Sequence, residues 1–193
     1  FGLPDLSLVQ RRQQQTEQKT RIAEAAADHV ADGEAIFLDS SSTVLSLLPF
    51  IRQRRDLTII TNSLVVAQEM LGLSNITVVM PGGLLHHDTV SLIDPAGLAL
   101  LSHYHIAKGF FGAHGITVED GLTDVSEAEA RVKRSLVAMC RRVIGLMDAT
   151  KWGRTGIASF AEIQDVDEVI TDRAAPAAMV DVVREVGVEV TLV

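Results

Sequence analysis

The chain has 193 residues, of which 47% are hydrophobic and 22% charged. That is enough for one large buried core and excludes a disordered or low-complexity tail. A single cysteine, Cys140, excludes an internal disulfide and multi-cysteine metal sites. A net charge of −8 makes the chain a poor holder of duplex DNA by itself, because phosphate contact by Lys and Arg dominates such binding. Only 4% of residues are aromatic, so the core is expected to consist of Ala, Val, Leu and Ile. No apolar run approaches the ~20 residues of a membrane helix, and Phe1–Gln10 has no basic-then-apolar leader. A cytoplasmic protein without membrane contact is expected.

Residues 1–20 are short of apolar periodicity and rich in Gln and Arg, and read as a linker running into a helix. Ile22, Ala26 and Val30 then recur at helical spacing until Asp32-Gly33. The apolar runs Ala35–Leu38, Leu57–Ile60, Ile76–Met80, Val143–Met147, Glu168–Ile170 and Val188–Leu192 read as strands, and Gly109–Gly112 ends another. Helices are expected around Val44–Ile51, Leu64–Leu71, Ser126–Cys140 and Pro176–Val186. In the third of these, Ser126 and Glu129 have capping-box spacing. Continuous apolar strands alternating with helices predict an α/β domain over 21–193. Its sheet is expected to be mostly parallel and Rossmann-like, with helices on both faces.

In such sheets ligands sit beyond the carboxyl ends of the strands. The loop Asp39-Ser40-Ser41-Ser42-Thr43 offers four hydroxyls and backbone N–H groups at a helix start, which suits a phosphate better than plain capping does. It is neither the Lys-containing phosphate loop nor the Gly-x-Gly-x-x-Gly fingerprint, so no nucleotide cofactor is implied. Thr61-Asn62-Ser63 and Gly82-Gly83 follow two further strands. Asp148–Gly153 carries Lys151 just past another. Lys133 either pairs with Glu129 one helical turn earlier or points at the same pocket. His114 lies between small residues in a loop that can face it. His86-His87-Asp88 lacks ligand spacing for a metal, and Cys140 reads as core.

Taken in order, these segments resemble the C-terminal effector-binding domain of DeoR-family bacterial transcriptional regulators. The resemblance runs from Leu6–Arg12 and Lys19–Ala23 through Ile36–Thr43, Ile60–Ser63 and Gly82-Gly83. It continues in Phe110–Ile116, Gly121–Thr123, Val132–Arg134, Asp148–Gly153 and Val169–Asp172. It implies a regulator, a repressor or an activator, of sugar metabolism. Its DNA contact would be made only by an N-terminal winged helix-turn-helix that this sequence does not contain. It also implies a homo-oligomer and a phosphorylated sugar or sugar metabolite as effector. The phosphate would lie on Asp39–Thr43, with Thr61, Asn62, Gly82, Gly83, Lys133 and Lys151 lining the rest. Three departures bear on the ligand: Ser41 stands where the family has Gly, Ala107 where it has Asp, and Asp94 where it often has Gly. The fold is also similar to ribose-5-phosphate isomerase, which is the enzyme alternative. Its general base, a Glu, falls about where this chain has Lys133, and its acidic loop falls at Ala113–Ile116. A scaffold with a vestigial pocket is the third reading.

Overall fold

The computed structural model of the protein describes residues 7–193, so Phe1–Leu6 lie outside it. From Ser7 onward the segment read as linker is helical and packed. Helix α1 (Leu8–Gln13) is capped by Ser7 and buries Leu8, whose N–H donates to the Asp88 carbonyl. Gln15 takes a left-handed turn, and α2 (Thr16–Ala27) follows with Ile22, Ala23 and Ala26 fully buried. The polar composition of 8–20 hid this packing, because Leu8 is the segment's one large apolar anchor.

The expected strands form β1 (Ala35–Leu38), β2 (Leu57–Thr61) and β3 (Ile76–Val79). After a short hairpin, β4 (Leu85–His86) and β5 (Ser91–Leu92), comes β6 (Lys108–Phe111). Strands β7 (Gly115–Thr117), β8 (Gly121–Asp124), β9 (Val143–Leu146), β10 (Ala158–Ala161), β11 (Glu168–Thr171) and β12 (Glu189–Leu192) complete the set. Seven of them make one parallel sheet in the order β12-β11-β9-β6-β1-β2-β3. The small antiparallel sheet β10-β8-β7 and the β4–β5 hairpin were not anticipated. Their strands are two to four residues long and carry no sustained apolar alternation.

Adjacent residues of the central strands feed opposite faces. Ile36, Leu38, Ile59 and Phe110 pack against α2, α3 (Ser42–Leu45), α4 (Leu48–Ile51) and α5 (Leu64–Met70). Phe37, Ile60 and Phe111 pack on the other side, against α6 (Glu127–Met139), with α7 (Ala177–Glu185) and the small sheet in the same core. Burial on both faces is why these strands read as unbroken apolar runs. The scarce aromatics are concentrated here: Phe37 and Phe111 are 5.1 Å apart and Phe111 and Phe160 6.2 Å apart between ring centroids. Aliphatic residues alone therefore do not make the core.

Candidate functional site

The strand order fixes the location. From β1 the chain moves to β2 and β3 on one side, and from β6 to β9, β11 and β12 on the other. The loops after β1 and β6 therefore diverge and leave a crevice at the carboxyl ends of the sheet.

Asp39, fully buried, joins the two loops. Its Oδ2 accepts from the Gly112 N–H at 2.8 Å, after β6, and its Oδ1 accepts from the Ser41 N–H at 2.7 Å. Ser41 in turn caps α3, accepting from the Val44 N–H. Its φ of −73° is open to any residue, so the serine that replaces the family glycine costs no backbone strain. The first-turn N–H groups of Ser42 and Thr43 have no acceptor within α3, and both residues line the crevice.

Lys133, from α6, lies beneath this loop with its side chain 7% exposed. Its Nζ is 2.8 Å from Asp124 Oδ2, 3.1 Å from Asp39 Oδ2 and 3.0 Å from the Gly112 carbonyl, and it sits over the Phe160 ring. The ammonium thus donates to Asp124 and Gly112 and forms an ion pair with Asp39, rather than pairing with Glu129. Burial works against its charge, but Asp124 and Asp39 outweigh that and hold Lys133 above the usual lysine range. Burial likewise pushes Asp124 up, and Lys133 reverses the effect, holding its carboxyl below the usual range.

The crevice is a cavity of about 640 Å³ lined by Ser41–Thr43, Gly112–His114, Leu146–Asp148, Thr150, Lys151 and Arg154, and by Arg11, Gln14, Gln15 and Lys19. The Lys151 loop is rigidly placed. Asp148 accepts from the Thr150 N–H, Asp172 from the Ala149 N–H, and Trp152 donates its indole N–H to Thr171. Lys19 is 4% exposed and donates to the Arg11 and Gln14 carbonyls. Burial pushes its pKa down to about 8, against the pull of Asp148 and helped by Lys151 and Arg11. A smaller recess of about 40 Å³ adjoins the cavity behind Ser41 and Gly112. It is lined also by Ser40, Thr89, Asp124, Glu129 and Lys133.

The structure therefore brings together Asp39, Ser40, Ser41, Ser42, Thr43, His114, Lys133 and Lys151 around the two spaces. Thr61, Asn62, Gly82 and Gly83 are not among the lining residues. Thr61 donates to the Leu38 carbonyl and accepts from the Ser63 N–H, and Asn62 donates to the Leu92 carbonyl. Gly82 and Gly83 have φ of +76° and +124°, and Gly83 lies against Asp94. Asp94 lines neither space, and Ala107 precedes β6 at the end of the sheet remote from the crevice. Two of the departures from the family pattern thus lie off the cavity. Arg11 and Lys19 carried no local signal beyond their charge, since neither stands beside a strand end.

A sequence profile of the DeoR C-terminal sensor domain matches residues 14–173. The chain belongs to this family. The sensor domain is 33% identical over 176 residues to the HTH-type transcriptional regulator GolR of Listeria innocua, covering 91% of this chain and 69% of that protein. It is 33% identical over 174 residues to the HTH-type transcriptional repressor GlcR of Bacillus subtilis, covering 90% and 67%. It is 28% identical over 182 residues to the glycerol-3-phosphate regulon repressor of Escherichia coli, covering 94% and 72%. The sensor domain thus spans about two thirds of the length of these relatives. Among solved structures it shares its fold with ribose-5-phosphate isomerase A of Methanocaldococcus jannaschii, at a TM-score of 0.53 and 17% identity over 71% of this chain and 54% of that one. It shares it also with eIF2B delta of Chaetomium thermophilum, at a TM-score of 0.56 and 18% identity over 84% and 57%. Among the described residues no helix is long and apolar enough to cross a membrane.

Proposed function

We propose that this sensor domain binds a phosphorylated sugar or related metabolite and serves a cytoplasmic regulator of sugar metabolism, a repressor, that holds DNA through a winged helix-turn-helix outside this sequence. One observation carries the reading. In a chain of net charge −8, Arg11, Lys19, Lys151 and Arg154 converge on one cavity beside the Ser42 and Thr43 hydroxyls. Concentrating cations against the global field suits an anionic ligand. Lys151, Ser42 and Thr43 hold the phosphate, Arg11, Lys19 and His114 border it, and Asp39 and Lys133 keep the loops in place. The reading needs no metal or cofactor.

The isomerase alternative requires a base at Lys133. An ammonium held charged between two carboxylates accepts no proton, which supports a sensor over an enzyme. Self-association is supported by the exposed Leu71, Leu84, Leu85 and Leu100; sedimentation at only the 20.8 kDa of one chain would count against it.

Calorimetric titration with a panel of sugar phosphates tests the reading. Lys151→Ala removes a charge-assisted contact of about 1.5–3 kcal/mol and should weaken binding roughly tenfold to a hundredfold. Ser42→Ala should cost about 1 kcal/mol, because the backbone donors remain. No binding of any panel member at millimolar concentration, or equal affinity for wild type and Lys151→Ala, overturns it.

A further inference from the structure

Glu129 has a role to fill that neither its helix nor its neighbours account for. At the start of α6 the Ser126 hydroxyl accepts from the Glu129 N–H. The reciprocal half of a capping box, in which the Glu side chain turns back to the cap, is not formed. The carboxylate points instead into the fold, with its side chain 8% exposed. The nearby Thr89 hydroxyl bonds His86 and Ser91 instead, and Oε1 is buried and has no hydrogen-bond partner. The nearest cationic candidate, His86 Nδ1, is 3.6 Å away, beyond hydrogen-bond reach, and lies 3.2 Å from Thr89 Oγ1. Lys133, a second cation beside the recess, is held by Asp39, Asp124 and Gly112. A buried carboxylate oxygen without a donor is costly and rare in a native fold, and calls for a partner.

Glu129 lines the small recess, and the recess shares Arg11, Ser41, Gly112, His114 and Lys151 with the cation-lined cavity. Its 40 Å³ takes about one hydroxymethyl group or a few waters, and nothing as large as a phosphate with its ring. On its wall Lys133 neutralises Asp124, which leaves Glu129 Oε1 as the buried acceptor without a donor. The two spaces thus divide the labour: the larger holds the cations that suit a phosphate, and the recess adds an acceptor for a hydroxyl.

We propose that the recess is a hydroxyl-binding subsite in which a ligand hydroxyl donates to Glu129 Oε1, so that the domain selects phosphate esters whose chain carries a hydroxyl to that depth over phosphate alone. The proposal rests on the phosphate reading of the larger cavity. It makes Glu129 a specificity group: the phosphate supplies anchoring, and the hydroxyl that reaches Glu129 supplies discrimination. A site that buries an acceptor for a hydroxyl rejects the analogue lacking it more strongly than an apolar pocket rejects a methylene.

The test uses calorimetric titration of wild type, Glu129→Gln and Glu129→Met with inorganic phosphate, glycerol 3-phosphate, erythritol 4-phosphate, ribitol 5-phosphate and sorbitol 6-phosphate. Wild type should bind one or more of the polyol phosphates at least tenfold more tightly than inorganic phosphate. Glu129→Gln, which keeps the volume and a neutral acceptor, should lose most of that preference. Glu129→Met, which keeps no acceptor of that kind, should lose all of it. Inorganic phosphate affinity should stay within about twofold in both, which also shows that the variants are folded. Should Glu129→Met not fold, Glu129→Gln decides alone. A preference that survives in Glu129→Gln at every chain length overturns the proposal, as does equal weakening of phosphate and polyol phosphates, the mark of a merely structural residue. Wild type that binds inorganic phosphate but gains nothing from any polyol overturns this inference alone. Wild type that binds no phosphate compound overturns the reading beneath it as well.

Discussion

Replacing Lys133 with Met should destabilise the domain more than any other single change at the site. The substitution keeps much of the side chain's volume but removes the cation that touches both Asp39 and Asp124. Those residues are 0% and 7% exposed, so water cannot take its place. Removing one partner of a buried pair costs about 3–5 kcal/mol. For a domain of this size one kcal/mol moves the melting temperature by roughly 2–4 °C, so a fall of about 6–20 °C is expected at pH 7. The pH dependence has a definite sign. Asp124 is held below its usual range by Lys133 against the effect of burial. In wild type that contribution is present above the unfolded carboxylate value of about 3.9 and is lost as pH falls through the lower folded value. In Lys133→Met burial acts on Asp124 without opposition. Its folded pKa then exceeds the unfolded one, and the variant loses stability as pH rises from about 4. The deficit relative to wild type should therefore be smaller at pH 4 than at pH 7, and adding Asp124→Asn should restore part of it at pH 7. Thermal melts followed by circular dichroism at both pH values measure this. A melting temperature within 2 °C of wild type at pH 7, or the same deficit at both pH values, would refute the reasoning.

Other expectations follow from single side chains. Burial lowers the Lys19 pKa to about 8, so its charge is suppressed in the folded state from about pH 8 up to its unfolded value near 10.4, and stability should rise with pH across that window. An anion in the cavity favours the charged form, so binding of inorganic phosphate at pH 8 should take up protons, seen as a dependence of the calorimetric heat on buffer ionisation enthalpy; identical heats in all buffers would contradict this. A Cβ at Gly112 would lie 2.3 Å from Ser41 Oγ and 2.4 Å from its Cβ. Gly112→Ala should thus cost about 2–3 kcal/mol in urea unfolding through overpacking and loss of the α3 cap, and much less in a Ser41→Gly background; strict additivity would disprove the contact. Burial pushes the Cys140 thiol up to about 12, so native protein at pH 8 should react with a thiol reagent far more slowly than unfolded protein does.

The central sheet is legible in the sequence because its strands are buried on both faces and read as unbroken apolar runs, as in Ala35–Leu38 and Val143–Leu146. The hydroxyl loop is legible because its chemistry is contiguous along the chain. What is not legible is whatever depends on a partner distant in sequence. Arg11 and Lys19 lie in a polar segment whose packing rests on Leu8 and on Lys19's bonds to the α1 end. A lysine at position 133 reads as a helix-surface ion pair with Glu129 or as an anion clamp in the pocket, and its burial against Asp39 and Asp124, contributed by β1's end and by β8, is visible only in the fold. Thr61 and Gly82-Gly83 have the composition of a binding loop but line neither space, and the Thr61 hydroxyl bonds the Leu38 carbonyl and the Ser63 N–H.

The bond from Gly112 to Asp39 spans 73 residues, and that separation bears on how the chain folds. The neighbours β1 and β6 are joined in the sheet but separated in the chain by two further strands and a hairpin, whereas β1–β2–β3 and β9–β11–β12 can each pair with much shorter loops. Closing the longer loop costs more chain entropy and slows the step that needs it. The Asp39 carboxylate belongs to the first half of the chain, and so does one donor, the Ser41 N–H, while the Gly112 N–H and its counter-ion Lys133 belong to the second. Its charge is compensated only when the two halves meet along β1 and β6. The crevice therefore does not exist in either half alone. Seating this aspartate is the point at which the docking of the halves is either completed correctly or penalised.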